Sequence, residues 1–130
     1  MKSLLSISVA LIALLLATSA GGKTLIQEFR GDRAMDTREF RVQGPWVLDW
    51  RLDGDYGEQL FLDIALIDAR TNKYVGRVVQ TKWRGNGVKL FEDGGVYKLR
   101  ISSTLARWRV KIEQITEEEA KLYTPKPEQD

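Results

Sequence analysis

The sequence predicts an all-β protein, an antiparallel β-sandwich or jelly-roll-like fold of about eight strands, and three observations carry that expectation. From Thr24 onward apolar residues recur at every second position. Clusters of Gly, Asp, Asn and Pro interrupt that alternation about every ten residues. Helical spacing is scarce outside the two ends of the chain.

The N-terminal end is a segment of another kind. Lys2 is followed by an apolar run from Leu4 to Ala17 and by the small residues Thr18, Ser19, Ala20, Gly21 and Gly22, the pattern of a signal peptide over residues 1–20. The run is too short for a spanning helix, which needs roughly 20 apolar residues, and no Lys/Arg cluster follows it. With no Cys in the chain, a lipid anchor at a new N-terminus has no acceptor. The expectation is a periplasmic or secreted protein with no membrane insertion after signal cleavage.

Cleavage after Ala20 takes 20 of the 130 residues and leaves 110, enough for one domain, assigned to residues 21–116, and a charged C-terminal tail at 117–130. It also removes Lys2 from the 20 basic residues, so 19 face 18 acidic ones at a net charge of +1. Such a balance gives no long-range attraction to nucleic acid.

Taken in order, Thr24–Arg30 is the first predicted strand and Gly31–Asp36 a polar link. Arg38–Gln43 follows with Phe40 and Val42 on one face, and Gly44-Pro45 punctuates the chain because proline cannot donate to a ladder. Trp46–Leu52 alternates most clearly, with Trp46, Leu48, Trp50 and Leu52 inward and Val47, Asp49 and Arg51 outward. The turn 53–57 leads to Leu60–Ile67, an almost continuous apolar run that reads as a strand covered on both faces. Within it Asp63 must face water or meet a partner, and an arginine from a neighbouring strand is the expected one.

Arg70-Thr71-Asn72-Lys73 turns the chain into the β-branched stretch Tyr74–Trp83. Gly85-Asn86-Gly87 marks a further turn, Val88–Phe91 a short strand, and Glu92-Asp93-Gly94-Gly95 a tight reversal that calls for positive φ. Val96–Ser102 and Trp108–Ile115 complete the set. A one-turn helix is expected over Glu117–Leu122.

The absence of His and Cys removes Ser-His-Asp and Cys-His nucleophile activation and nearly all zinc, copper and haem ligation. No carboxylate pair is singled out for glycoside hydrolysis. The expected protein is therefore non-enzymatic and has no cofactor. Asp53, Asp55 and Glu58 form a candidate Ca²⁺ cluster, but they lack the spacing of an EF-hand loop, and a solvated turn is the favoured account.

Of the four Trp, three alternate with Leu and Val and are assigned to the core. Trp83 ends a strand beside a polar turn, so Trp83, Arg84 and Asn86 form the candidate ligand-binding set, an indole face for a sugar ring with polar neighbours for its hydroxyls. Lys98, Arg100, Arg107, Arg109 and Lys111 would form a basic stripe if the last two predicted strands pair, suited to an anionic polymer; shielding of a sheet edge is the competing account.

The stretch from Gly85-Asn86-Gly87 through Gly94-Gly95-Val96-Tyr97-Lys98-Leu99-Arg100-Ile101 to Trp108-Arg109-Val110-Lys111-Ile112 resembles the closing strands of secreted bacterial β-sandwiches of the pre-peptidase C-terminal type. That resemblance implies a jelly-roll-like accessory module and assigns no functional residue. The functional expectation is an exported binding module for carbohydrate or an envelope polymer, with a protein-interaction or structural role in the envelope as the alternative.

Overall fold

The structure is a computed structural model that describes residues 23–54 and 60–123. Two antiparallel sheets account for nearly all of it. Among the described residues nine strands are formed: β1 (Thr24–Gly31), β2 (Met35–Asp36), β3 (Phe40–Val42), β4 (Trp46–Asp53), β5 (Phe61–Asp68), β6 (Tyr74–Thr81), β7 (Gly85–Phe91), β8 (Gly95–Thr104) and β9 (Arg107–Gln114), followed by the single-turn helix α1 (Glu117–Ala120). The four-stranded sheet has the order β1-β9-β4-β7. The five-stranded sheet has the order β2-β8-β5-β6, with β3 also paired to β8. The expected all-β sandwich is thus the observed architecture, and no described helix is long and apolar enough to cross a membrane.

Alternation fills the space between the sheets. Trp46, Leu48 and Leu52 from β4, Trp108, Val110 and Ile112 from β9, Leu62, Ile64 and Leu66 from β5, and Leu99 and Ile101 from β8 meet in one buried cluster. Burying side chains of this size gives roughly 1.5–3 kcal/mol each, which supplies the main driving force in a chain without disulfides. Trp46 and Trp108 are buried as expected, and Trp50 is half-buried against the same cluster.

Several local expectations are revised. Gly85-Asn86-Gly87 opens β7 instead of forming a turn, pairing with Leu52, Arg51 and Trp50. Gly87 is required there because the Trp50 indole lies over it, and a Cβ would come within 2.8 Å of the ring. Gly94 and Gly95 do not adopt positive φ. They serve a close crossing, where a Cβ on Gly94 would sit 2.8 Å from the backbone of Val42 and Gly44.

The outer positions of β5 are half-exposed, so that strand alternates where double cover was expected; only Ile67 is buried on that side. Asp63 meets Arg77 at 3.8 Å and accepts a hydrogen bond from Gln80 at 3.3 Å, both on β6. Val47 faces outward yet is fully buried, because Ile115 and Ala120, with Leu90 and Tyr123, close over it. The helix α1 that brings Ala120 there starts with a capping box between Thr116 and Glu119.

Candidate functional site

The end of the sandwich where β6 crosses to β7 holds the sequence-predicted contact residues. Residues 82–84 make the crossing, and Thr81 shapes it: its Oγ1 accepts the N–H of Trp83 at 3.1 Å and donates to the Trp83 carbonyl at 3.4 Å. That local bonding competes with the ladder and ends β6. Trp83 is left 76% exposed, while Trp46 and Trp108 are almost fully covered. Its ring borders an open hollow of about 450 Å³ shared with Phe61, Gln80, Thr81 and Lys82.

Arg84 and Asn86 do not share that hollow. They border a second one, about 210 Å³, with Arg51, Asp53 and Gly85. The structure therefore splits the candidate set across the crossing, Trp83 toward the five-stranded sheet and Arg84 and Asn86 toward the four-stranded one.

Asp53 of the candidate cation cluster is tied up locally. It accepts the Gly54 N–H at 2.8 Å and lies 3.6 Å from Arg107. Asp55 and Glu58 lie outside the described residues.

The expected basic stripe does not form. Lys98 and Arg100 are on β8 in the five-stranded sheet, whereas Arg107, Arg109 and Lys111 are on β9 in the four-stranded sheet, so the two groups occupy opposite outer faces. The reason is the chain path: the link from Leu105 to Ala106 carries the chain across the sandwich instead of folding β8 back on β9. Leu105 there has a φ of 51°.

In place of that stripe, β9 sits between β1 and β4 and assembles a row that runs across the strands. Arg109 pairs with Arg30 on one side and with Arg51 on the other, and Arg51 pairs in turn with Asn86. The three arginines point outward, because their neighbours Phe29, Leu52, Trp108 and Val110 point into the core, and Asn86 shares their face as the direct partner of Arg51. The row escapes a linear reading of the sequence, since Arg51, Asn86 and Arg109 lie 21, 56 and 79 positions after Arg30. Only the pairing register brings them together.

Electrostatically the row is uneven. Arg30 contacts Glu28 at 2.6 Å, and this guanidinium holds the Glu28 carboxyl below the ordinary carboxylate value. Arg51 and Arg109 have no carboxylate within ion-pair distance among the described residues. The row borders an open concavity of about 570 Å³ lined by Arg30, Arg51, Arg107 and Arg109 together with the carboxylates of Asp32 and Asp53. Among the described residues no group of three or more His, Cys, Asp or Glu side chains is placed to hold a metal ion. No known family profile and no characterised protein matches this chain.

Proposed function

We infer that this protein is an exported, non-enzymatic binding module for carbohydrate or an envelope polymer, with Trp83 as the contact ring. The observation that carries this reading is the exposure of Trp83 at a crossing whose backbone is pinned by Thr81. A large apolar ring held in water by its own backbone gains by covering a sugar face, at little further ordering cost. Phe61 at the edge of the same hollow extends the apolar surface, and Gln80 offers donors and an acceptor for hydroxyls. The accessory-module role implied by the resemblance of the Tyr97-x-Leu99-x-Ile101 region fits this reading.

The test is tryptophan fluorescence during titration with a panel of neutral and acidic oligosaccharides. A saturable shift with at least one of them, lost in Trp83→Ala while the far-ultraviolet dichroism stays unchanged, is the expected result. A shift that survives in Trp83→Ala contradicts it.

A second reading, a protein-contact role in the envelope, rests on β6. This is an edge strand of the five-stranded sheet, and Tyr74 and Val75 on it are 61% and 50% exposed. An edge of that kind offers unpaired backbone groups and apolar side chains to another chain.

A further inference from the structure

We propose that the outer face of the four-stranded sheet binds an acidic polysaccharide, laid across the strands along Arg30, Arg109, Arg51 and Asn86. This goes beyond the Trp83 reading and does not depend on it.

Like charges directly opposite one another on neighbouring strands are destabilising. Arg109 nevertheless has an arginine opposite it on each side. On the other sheet two outward arginines are paired: Arg100 is 3.4 Å from Asp36, its direct partner across β2, and Arg77 is 3.8 Å from Asp63. Arg41, outward on β3 of that face, has no carboxylate within ion-pair distance among the described residues. What sets the four-stranded face apart is that Arg51 and Arg109, neither with a carboxylate within ion-pair distance among the described residues, stand directly opposite one another.

The borders of the row define the shape of what fits. The next outward positions on one side are Glu28, Lys111 and Asp49, and on the other side Arg107 and Asp53. Outward positions along a strand are about 6.6 Å apart, twice the rise per residue, so the row is a cationic track whose flanks alternate charge, Lys111 standing between Glu28 and Asp49 and Arg107 beside Asp53. Across four strands it is roughly 14 Å long, three strand spacings. A linear anion lying on the track meets guanidiniums, whereas a broad anionic surface such as a bilayer would set its phosphates against Glu28, Asp49 and Asp53.

No aromatic ring lies on the track to stack nucleobases, which single-stranded nucleic acid binding uses. Asn86 at its end offers both a donor and an acceptor to hydroxyls. Guanidiniums bind carboxylate or sulfate through paired hydrogen bonds. Acidic sugars carry such groups and hydroxyls together, and the shared chemistry is therefore an oxyanion-bearing glycan.

The experiment is isothermal titration of the protein with an oligogalacturonate, for the carboxylate form, and a heparin-derived oligosaccharide, for the sulfate form, at low and at raised salt. At least one is expected to bind, more weakly as salt rises. The Arg51→Gln/Arg109→Gln double variant should lose at least tenfold in affinity, and Arg77→Gln/Arg100→Gln, on the other face, should keep it. Trp83→Ala should also keep it, which separates this site from the ring at the crossing. Removing the opposed charges should leave the thermal midpoint of the first double variant equal to or above that of the native protein.

Absence of binding by both oligosaccharides at low salt overturns the proposal. So does an equal loss in the two double variants, or in Trp83→Ala. A lowered midpoint in Arg51→Gln/Arg109→Gln, showing the guanidiniums to be structural, overturns it as well, as does tighter binding of a single-stranded oligonucleotide or of phosphatidylglycerol vesicles.

Discussion

Trp46 and Tyr97 show how the polar atoms of the core's aromatic side chains find partners. The Trp46 Nε1–H donates to the Asp93 carbonyl at 2.9 Å, and the Tyr97 hydroxyl donates to the same carbonyl at 3.1 Å. The Trp46 ring stacks on Phe91 at 4.5 Å between centroids and meets Phe40 edge-on at 5.7 Å. Aromatic pairs of this geometry add about 0.5–1.5 kcal/mol each beyond area burial. The result ties the 92–94 link, which has no ladder of its own, to the core. Burial raises the Tyr97 hydroxyl above the ordinary value of 10.0, and the nearby charges of Asp93 and Asp68 act in the same direction. The unfolded chain then ionises this group first. Its contribution to stability is complete below pH 10 and is lost as pH rises through the higher folded value. Denaturation midpoints measured from pH 8 upward should therefore fall more steeply above about pH 10 in the native protein than in Tyr97→Phe. Parallel curves for the two would contradict this origin.

Between β2 and β3 an element is interrupted, and Thr37 shows how the gap is closed. Both short strands pair with β8, β3 at Gly95–Tyr97 and β2 at Arg100–Ile101, with Leu99 facing the break. The Thr37 N–H donates to the Leu99 carbonyl at 2.9 Å, and the Thr37 Oγ1 accepts the Leu99 N–H at 2.9 Å. A side chain thereby replaces the missing ladder bond, and Thr37 is only 5% exposed. Thr37→Val keeps the shape and removes the acceptor, leaving a buried N–H unpaired at a cost of about 1–3 kcal/mol. Urea denaturation should show that loss, with Thr37→Ser recovering most of it. A Thr37→Val variant as stable as the native protein would show that the Leu99 N–H finds another partner. Nothing in the Gly31–Asp36 stretch signals a strand, because Met35 and Asp36 are too few to show a period.

At the scale of the whole molecule, the sequence is informative about which face a residue takes and silent about which sheet a strand joins. The inward sets of β4 and β9 follow from alternation alone, since Trp, Leu, Val and Ile at every second position have one place to go. Trp83 is likewise legible, because the alternation stops beside a polar stretch and no facing apolar residue is left to cover it. By contrast, most links carry the chain from one sheet to the other, and among the described residues β5–β6 is the one direct hairpin between full-length strands. A crossing link and a hairpin link draw on the same Gly, Asp and Asn residues, so Glu92-Asp93-Gly94-Gly95 and the 105–106 link give no sign of direction. Val47 is misplaced for a related reason: its cover, Ile115 and Ala120, comes from a segment whose docking has no periodic signature.

The arginine row is the largest consequence of that topology, for it exists only if β9 lies between β1 and β4. Cross-strand nuclear Overhauser effects involving the backbone of β9 test that placement directly. The account predicts contacts from Arg109 to both Arg30 and Arg51, and from Ile112 to Leu48, with none in the hairpin pattern between β8 and β9. A β8–β9 hairpin, with Arg109 facing the Lys98–Arg100 segment, would contradict the fold's central arrangement and remove the track with it.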